Sequence, residues 1–454
     1  MRVHFIAIGG SAMHDLAIAL HKRGYRVSGS DDAIFEPSRS RLEEHGLLPP
    51  AMGWDPSRIS DELDRVILGM HAKKDNPELL RAHEHGIPVL SFPEFIAERS
   101  QGKERVVIAG SHGKTSITAM ILHVLRRQGM DPDRLIGAQL EGYEGAVRLS
   151  EEADRIVIEG DEYLSSPIDP RSKFLWYEPH LALISGISWD HVNVFPSFDD
   201  YLEAFRRLLL SMPPESTLIH CSEDEELQRL VREHASHLHC IPYETHPHFN
   251  EEEGSFLDTE IGALPLRIFG SHNMQNLAGA LKVCERSGVP RENFYQAIRD
   301  FEGASLRMEE IQRKGANLAF RDYAHAPSKV KATVRAVKER YPGRALLACV
   351  ELHTYSSLDP DFIGNYAGSM EGAEEAFVFF DPSAAAKKGF GELSAERIRK
   401  AFQRPDLEIH SDMEALEKVL LQRASEYGSK ILLFMSSGPF QGKDLSSFAW
   451  KCFC

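Results

Sequence analysis

The sequence predicts an α/β protein of three domains, and three observations predict it. Short apolar runs bounded by glycines alternate with longer stretches of helical periodicity from residue 3 to residue 435, the pattern of βαβ units and parallel sheets. The 454-residue length allows roughly three domains at about 150 residues each. Polar or glycine-bounded breaks at Ser100-Gln101-Gly102-Lys103-Glu104 and Phe301-Glu302-Gly303 divide the chain into 1–100, 101–302 and 303–454.

The first unit opens with an apolar strand at residues 3–8, the turn Gly9-Gly10-Ser11, a helix at 12–23 closed by Gly24, and a second strand from Tyr25 into Gly29-Ser30-Asp31. Glycines between strand and helix, with an acidic residue about twenty positions on, make a Rossmann-like layout. The full glycine fingerprint is absent, since Ala7 and Ala12 stand at glycine positions. A strand at 65–68, a helix at 76–85, a strand at 87–90 and a helix at 93–98 complete the unit.

The second unit starts with Arg105-Val106-Val107-Ile108-Ala109, which enters Gly110-Ser111-His112-Gly113-Lys114-Thr115-Ser116 and a helix to about Arg127. A strand, a Gly-rich turn and a helix N-terminus form an anion site. Lys114 adds charge for the outer phosphates, and Thr115 or Ser116 offers a hydroxyl to Mg²⁺. Ile108 occupies the first glycine position of the strict P-loop, so this is a shorter variant. The co-occurrence of strand, turn, lysine and hydroxyl separates it from a plain tight turn.

A strand at 155–159 ends in Glu159-Gly160-Asp161-Glu162. Carboxylates at a strand end beside a phosphate loop suit Mg²⁺, a hard ion that prefers oxygen; a solvated acidic turn is the plainer alternative. The strand at 181–184 leads to Trp189-Asp190-His191, and a helix follows at 198–210. Strands at 218–220 and 241–243 precede an acidic segment, 246–262, expected to be an irregular surface loop. His234, His237, His239, His246 and His248 lack metal-ligand spacing. A strand at 266–269 then meets Gly270-Ser271-His272-Asn273-Met274-Gln275-Asn276 and a helix to Ser287. Asn273 and Asn276 lie one helical turn apart and can face one ligand; alternatively Asn273 caps the helix.

The third unit begins at Leu306-Arg307-Met308-Glu309. A strand at 317–321 runs into Asp322-Tyr323-Ala324-His325-Ala326-Pro327 and a helix to Arg340. Strands at 345–350, 376–379 and 430–435 alternate with helices at 362–370, 395–402 and 413–427. The last strand ends in Ser436-Ser437-Gly438-Pro439-Phe440-Gln441-Gly442, at the edge where open α/β sheets bind ligands.

Lys plus Arg total 52 against 68 Asp plus Glu, a formal charge of −16, which argues against a nucleic-acid binder. No apolar run reaches the roughly 18 residues of a membrane span, and the opening residues run straight into a strand without a signal-peptide pattern. The six cysteines show no framework spacing. A cytoplasmic protein with free thiols is expected.

Taken together, these motifs resemble the Mur ligase family, ATP-dependent amide-forming enzymes of bacterial cell-wall synthesis. The resemblance covers nearly the whole chain. It rests on Gly110 to Thr115, the acidic strand end at Glu159, Asp190-His191, Gly270 to Asn276, Leu306 to Glu309 and Asp322 to Pro327. It implies a Rossmann-like N-terminal domain that binds UDP, a central P-loop ATPase-type domain with a parallel sheet, and a Rossmann-like C-terminal domain for the incoming amine. ATP and Mg²⁺ are the implied cofactors. Lys114, Glu159, His191 and Arg307 are the implied catalytic residues. Gly110, Ser111, His112, Gly113, Lys114, Thr115 and Ser116 would cradle the phosphates. Asn273 and Asn276 would contact adenine, Arg307 the γ-phosphate and Asp322 the ribose. Thr115 and Glu159 would hold one Mg²⁺, and His191 would help hold a second. Gly9, Gly10, Ser11, Ser30, Asp31 and His71 match the UDP-sugar side; His325, His353, Tyr355 and Ser437 match the amine side.

Two branches of the family use UDP-N-acetylmuramate. One adds L-alanine; the other adds recovered L-Ala-γ-D-Glu-meso-diaminopimelate. Asp161-Glu162-Tyr163, Asp169-Pro170-Arg171-Ser172-Lys173-Phe174, Trp189 to Phe195 and Met435 to Gly442 are similar to the recycling branch, which is favoured. His353-Thr354-Tyr355-Ser356 is closer to the alanine branch, though Thr354 replaces an expected arginine. Ala326 replaces the second histidine of a usual His-His-Pro, and the role of Lys173 is open. The helix after Asp190-His191 carries no lysine for carbamylation, as in the branches that act first on UDP-N-acetylmuramate. A monomer or homodimer is expected. A folate-polyglutamate ligase, a nicotinamide-dependent dehydrogenase and a non-catalytic nucleotide-binding regulator are the other classes weighed.

Overall fold

Val3 and Phe5 point to one side of the strand Arg2–Ile6, and His4 and Ile6 to the other; all four are fully buried. Such two-sided burial belongs to a parallel sheet covered on both faces. In the computed structural model, which describes residues 1–453 apart from 141, 388, 389, 391 and 392, this strand is flanked by Arg26–Ser30 and Arg65–Leu68, with Val89–Ser91 at the edge. Helices Ser11–Lys22, Pro77–Glu84 and Phe92–Arg99 cover the faces. Ser91 begins the last of these with a capping box completed by Glu94.

The central sheet has seven strands in the order His239–Tyr243, Thr217–Cys221, Leu181–Ile184, Glu104–Ala109, Arg155–Glu159, Asp133–Leu135 and Val147–Arg148. All neighbours are parallel except the last pair. The chain visits Arg155–Glu159 on one side of Glu104–Ala109 and Leu181–Ile184 on the other, so a crevice opens at the carboxyl end of the strand between them. The third sheet has six strands, ordered Glu309–Lys314, Asn317–Asp322, Lys430–Met435, Ala345–Leu352, Glu375–Phe380 and Glu408–His410; only the first pairing is antiparallel.

One apolar cluster runs without a break from Val3, Leu16 and Phe95 in the N-terminal domain to Val106, Ile158 and Phe205 in the central one. The C-terminal sheet has its own clusters on its two faces, and Phe269 of the central domain belongs to one of them. The described cysteines are free thiols, mostly buried; Cys454 lies outside the described residues.

Several elements differ from the sequence reading. The expected loop at 246–262 is a three-stranded antiparallel sheet, His248–Asn250, Ser255–Thr259 and Gly262–Leu266. Its acidic tip, Glu251-Glu252-Glu253, hides an alternation in which Phe249 and Phe256 stack at 5.4 Å. Pairing of Leu266 with Ser255 ends that sheet, so the strand expected at 266–269 stops at Leu266. The helix expected at 362–370 is a single 3-10 turn, Ile363–Tyr366; Gly364 and the positive-φ Gly368 break it. Glu309–Lys314 was not expected as a strand because its charged residues carry no apolar face, a usual trait of a sheet edge.

At the base of the central sheet Lys103 donates to the carboxylate of Asp133 and to the carbonyl of Ser150. Asp133 is fully buried. Breaking a buried pair costs about 3–5 kcal/mol because it strands a charge. Lys103→Met should therefore lower the thermal midpoint by several degrees, and adding Asp133→Leu should recover part of the loss. A single variant as stable as wild type would show that the pair contributes nothing.

Candidate active site

The phosphate loop folds as its glycines dictate. Gly110 has φ 118° and Gly113 has φ 74°, the left-handed region that favours glycine. Gly113 caps the helix Lys114–Arg127 without a side-chain partner, which leaves the helix N-terminus facing a cavity of about 930 Å³ at the carboxyl edge of the sheet. Lys114 lines that cavity. Its ammonium donates to the Gly110 carbonyl and to Glu162 Oε2, both at 2.7 Å. Burial alone would lower its pKa, but Glu162, Asp161 and Glu159 together outweigh burial and hold it above the ordinary lysine value.

The acidic strand end supplies the next wall. Glu159 accepts from Thr115 Oγ1 at 2.8 Å through one oxygen and from the Gly137 amide at 2.7 Å through the other. Asp161, Glu162 and His191 form a separate cluster, with one ligand atom from each within 4.8 Å of the others. Tyr201 donates to Glu162 Oε1 at 2.9 Å and shares a hydrogen bond of 2.8 Å with Ser111; sequence reasoning missed it because a tyrosine on an amphipathic helix reads as core. Lys173 donates to Asp161 Oδ2 at 2.6 Å. Burial would raise the Asp161 carboxyl, yet Lys173 and Lys114 carry it well below the usual carboxylate range. The oxygen-rich donors Thr115, Glu159, Asp161 and Glu162, with the single imidazole of His191, suit Mg²⁺. His191 itself has φ 55°, a strained position for a residue with a Cβ.

The C-terminal domain closes the far side. Arg307 lies 4.2 Å over the Tyr323 ring, between the positive-φ residues Leu306 and Met308. Asp322 accepts from the Met308 amide at 2.7 Å and the Ala324 amide at 2.8 Å. The helix Pro327–Arg340 then presents two of its contacts with the central domain at the cavity. Ser328 and His112 Nε2 share a hydrogen bond of 3.0 Å, and Lys329 reaches Asp190 Oδ2 at 3.3 Å. Nothing local in the sequence marks Ser328 or Lys329, because their partners belong to another domain. Asp190 is buried, which would raise its carboxyl, but Lys329 and His191 hold it far below the usual range.

Of the residues matched from sequence, Ser111 to Ser116, Glu159, His191, Asn273, Asn276, Arg307, Asp322, His325 and Ser437 all line this cavity. Asn273 donates to the Phe269 carbonyl at 2.9 Å, so its amide is partly spent inside its own helix turn. Thr354 and Lys173 line the cavity too, while His353 and Tyr355 stand outside it, with Tyr355 packed on Phe390 at 4.6 Å. Gly9, Gly10, Ser11, Ser30, Asp31 and His71 lie at the carboxyl ends of the N-terminal strands instead. The Ser30 hydroxyl is fully buried and donates to Glu78 Oε1 at 2.6 Å within a network with His4. Asp31 accepts from the Gly9 amide at 2.7 Å, and burial lifts its carboxyl above the usual range.

Burial first, and then the charge of Lys329, push His325 down to about 3 from an ordinary 6.5. The unfolded chain takes up this proton more readily than the folded one. The stability contributed by a neutral His325 is complete above about pH 6.5 and is lost progressively as pH falls from there toward 3. In His325→Gln the thermal midpoint should fall less steeply than in wild type as pH drops from about 6.5 to 5. Parallel slopes would show that His325 is not held neutral.

Comparison with known proteins agrees with this arrangement. Three family models match in order: Mur ligase family, catalytic domain, over residues 2–104; Mur ligase middle domain over 108–284; and Mur ligase, glutamate ligase domain, over 306–438. The chain is similar to the UDP-N-acetylmuramate–L-alanine ligase of Carboxydothermus hydrogenoformans, 30% identical over 419 residues that cover 89% of this chain and 88% of the relative. The protein of the same name from Desulfitobacterium hafniense is 26% identical, with 94% and 95% covered. Among solved structures, the fold is shared with the murein peptide ligase of Psychrobacter arcticus (22% identity, TM-score 0.68, 100% and 99% covered). It is shared equally with the UDP-N-acetylmuramate-alanine ligase of Thermotoga maritima (20% identity, TM-score 0.74, 98% and 97% covered). The chain belongs to the Mur ligase family, whose members are ATP-dependent amide ligases.

Proposed function

We propose that this protein joins the lactyl carboxylate of UDP-N-acetylmuramate to the amine of L-Ala-γ-D-Glu-meso-diaminopimelate, with ATP as phosphoryl donor. The observation that carries this choice within the family is the hairpin Leu164–Ser166 and Asp169–Ser172. Its two flanks, Asp161-Glu162-Tyr163 and Arg171-Ser172-Lys173-Phe174, resemble the recycling branch, and they meet inside the cavity as the Lys173–Asp161 ion pair. Thr354 lines the cavity where the alanine branch has a larger arginine, which leaves room for a longer amine substrate.

The domains 1–100, 101–302 and 303–454 then serve sugar nucleotide, ATP and amine respectively. The carboxylate attacks the γ-phosphate, breaks its bond to the β-phosphate and releases ADP, leaving an acyl phosphate; the neutral amine next attacks the activated carbonyl, loses a proton and expels phosphate. Lys114 and Arg307, from two different domains, stabilise charge on the transferring group. Thr115, Glu159, Asp161, Glu162 and His191 would hold Mg²⁺, which would supply further charge neutralisation. Asn273 and Asn276 meet the base and Asp322 the ribose. His325, kept neutral by burial, faces the amine side as a hydrogen-bonding group; a pKa of about 3 makes it a poor proton acceptor.

A second reading, ligation of L-alanine, has its own support, because the named sequence relatives above are alanine ligases. Phosphate release from ATP with Mg²⁺ and UDP-N-acetylmuramate, measured with each acceptor, separates the two. Release with the tripeptide alone is expected; release with L-alanine alone would move the protein to the biosynthetic branch. Lys114→Ala should reduce release by about a hundredfold or more with an unchanged circular dichroism spectrum, and wild-type-like release in that variant would remove the phosphate-loop assignment.

A further inference from the structure

Lys173 has no part in that mechanism, yet its side chain lines the cavity. It follows directly on the hairpin, which holds it firmly. Ser165 Oγ donates to the Arg171 carbonyl at 2.8 Å, the Arg171 guanidinium pairs with Asp169 and lies 3.9 Å over the Trp176 ring, and the Lys173 amide donates to the Tyr163 carbonyl at 2.9 Å. The 3-10 turn Lys173–Trp176 packs against the helix Phe92–Arg99 of the N-terminal domain, and Phe92 lines the same cavity. Lys173 therefore stands on the wall that faces the N-terminal domain.

We infer that Lys173 binds the acceptor carboxylate of the sugar nucleotide and holds it against the terminal phosphate of ATP. This assignment rests on the function proposed above and adds a substrate contact to it. Two anions must be brought together for the first step, so a cation is needed on the side from which the carboxylate arrives. The other cations of the cavity sit elsewhere. Lys114 lies on the phosphate loop, while Arg307, Lys329, Lys331 and Arg335 belong to the C-terminal domain. Lys173 alone among these six is placed toward the N-terminal domain.

Its present partner makes the exchange balanced. Asp161 is one of the three residues grouped as potential cation ligands. When its carboxylate turns to a cation, Lys173 loses a carboxylate at 2.6 Å and gains one from the substrate. The number of unpaired charges does not rise, which limits the penalty for moving an ion pair in a partly enclosed site. The flexible lysine stem suits a charge that changes partner.

The test is a binding titration on the full-length protein with UDP-N-acetylmuramate, and in parallel with UDP, which lacks the lactyl carboxylate. The proteins are wild type, Lys173→Ala and the charge-preserving Lys173→Arg. Loss of one charge-assisted contact should weaken UDP-N-acetylmuramate binding to Lys173→Ala by about tenfold or more. Lys173→Arg should recover most of that loss, and UDP should bind all three proteins alike. Equal loss for both ligands, no loss for either, or weaker Mg·ATP binding with unchanged UDP-N-acetylmuramate binding would overturn the assignment; the last result would make Lys173 a support for Asp161. Wild-type protein that does not bind UDP-N-acetylmuramate would overturn the functional reading itself and this assignment with it.

Discussion

The site depends on a lack of space at two glycines. A Cβ at Gly113 would stand 2.1 Å from Asn276 Oδ1, and one at Gly110 would stand 2.3 Å from Ser185 Oγ. No side chain fits either gap, and both residues already hold a backbone conformation that side chains resist. The helix Ser271–Arg286 and the end of the strand Leu181–Ile184 are thus pressed onto the phosphate loop from opposite sides. This contact fixes Asn273 and Asn276 relative to Lys114, and it brings Trp189-Asp190-His191 back over the same crevice. Everything the cavity can do follows from that close approach.

Within the crevice, charge is arranged in pairs. Lys114 meets Glu162, Lys173 meets Asp161, and Lys329 meets Asp190. Each pair joins a different element, and the last joins two domains. Pairing explains how so many ionised groups share one partly enclosed space, since a buried charge without a partner is costly. It also means that a phosphate or metal entering the site displaces an existing partner and need not find bare charge. Tyr201 and Ser111 extend the arrangement by fixing Glu162 from behind.

Much of this was legible in the sequence because it is local. The strands Arg155–Glu159 and Leu181–Ile184 match their apolar runs residue for residue. The glycines of the phosphate loop, the hydroxyl beside its lysine and the carboxylates at the strand end lie close along the chain. Three-dimensional partners were not legible. Lys329 sits 139 residues from Asp190, and no periodicity connects them. The partners of the Ser30 hydroxyl are of the same kind, since Glu78 and His4 lie far from it along the chain. The small sheet at 248–266 was hidden by the charge at its turn, although its strands alternate once their register is known.

The two domain junctions are built from different forces. An unbroken apolar cluster unites the N-terminal and central domains, while the C-terminal domain reaches the phosphate loop through Ser328 and Asp190 through Lys329, with Phe269 as an aromatic bridge. Mechanically the molecule is two bodies rather than three, a fused anvil and a jaw. The apolar and ionic contacts of these seams respond oppositely to the solvent. Salts excluded from protein surfaces tighten apolar contacts, whereas ionic strength screens a partly exposed ion pair. A salty medium thus tightens the apolar part of the anvil and loosens the electrostatic part of the jaw's grip.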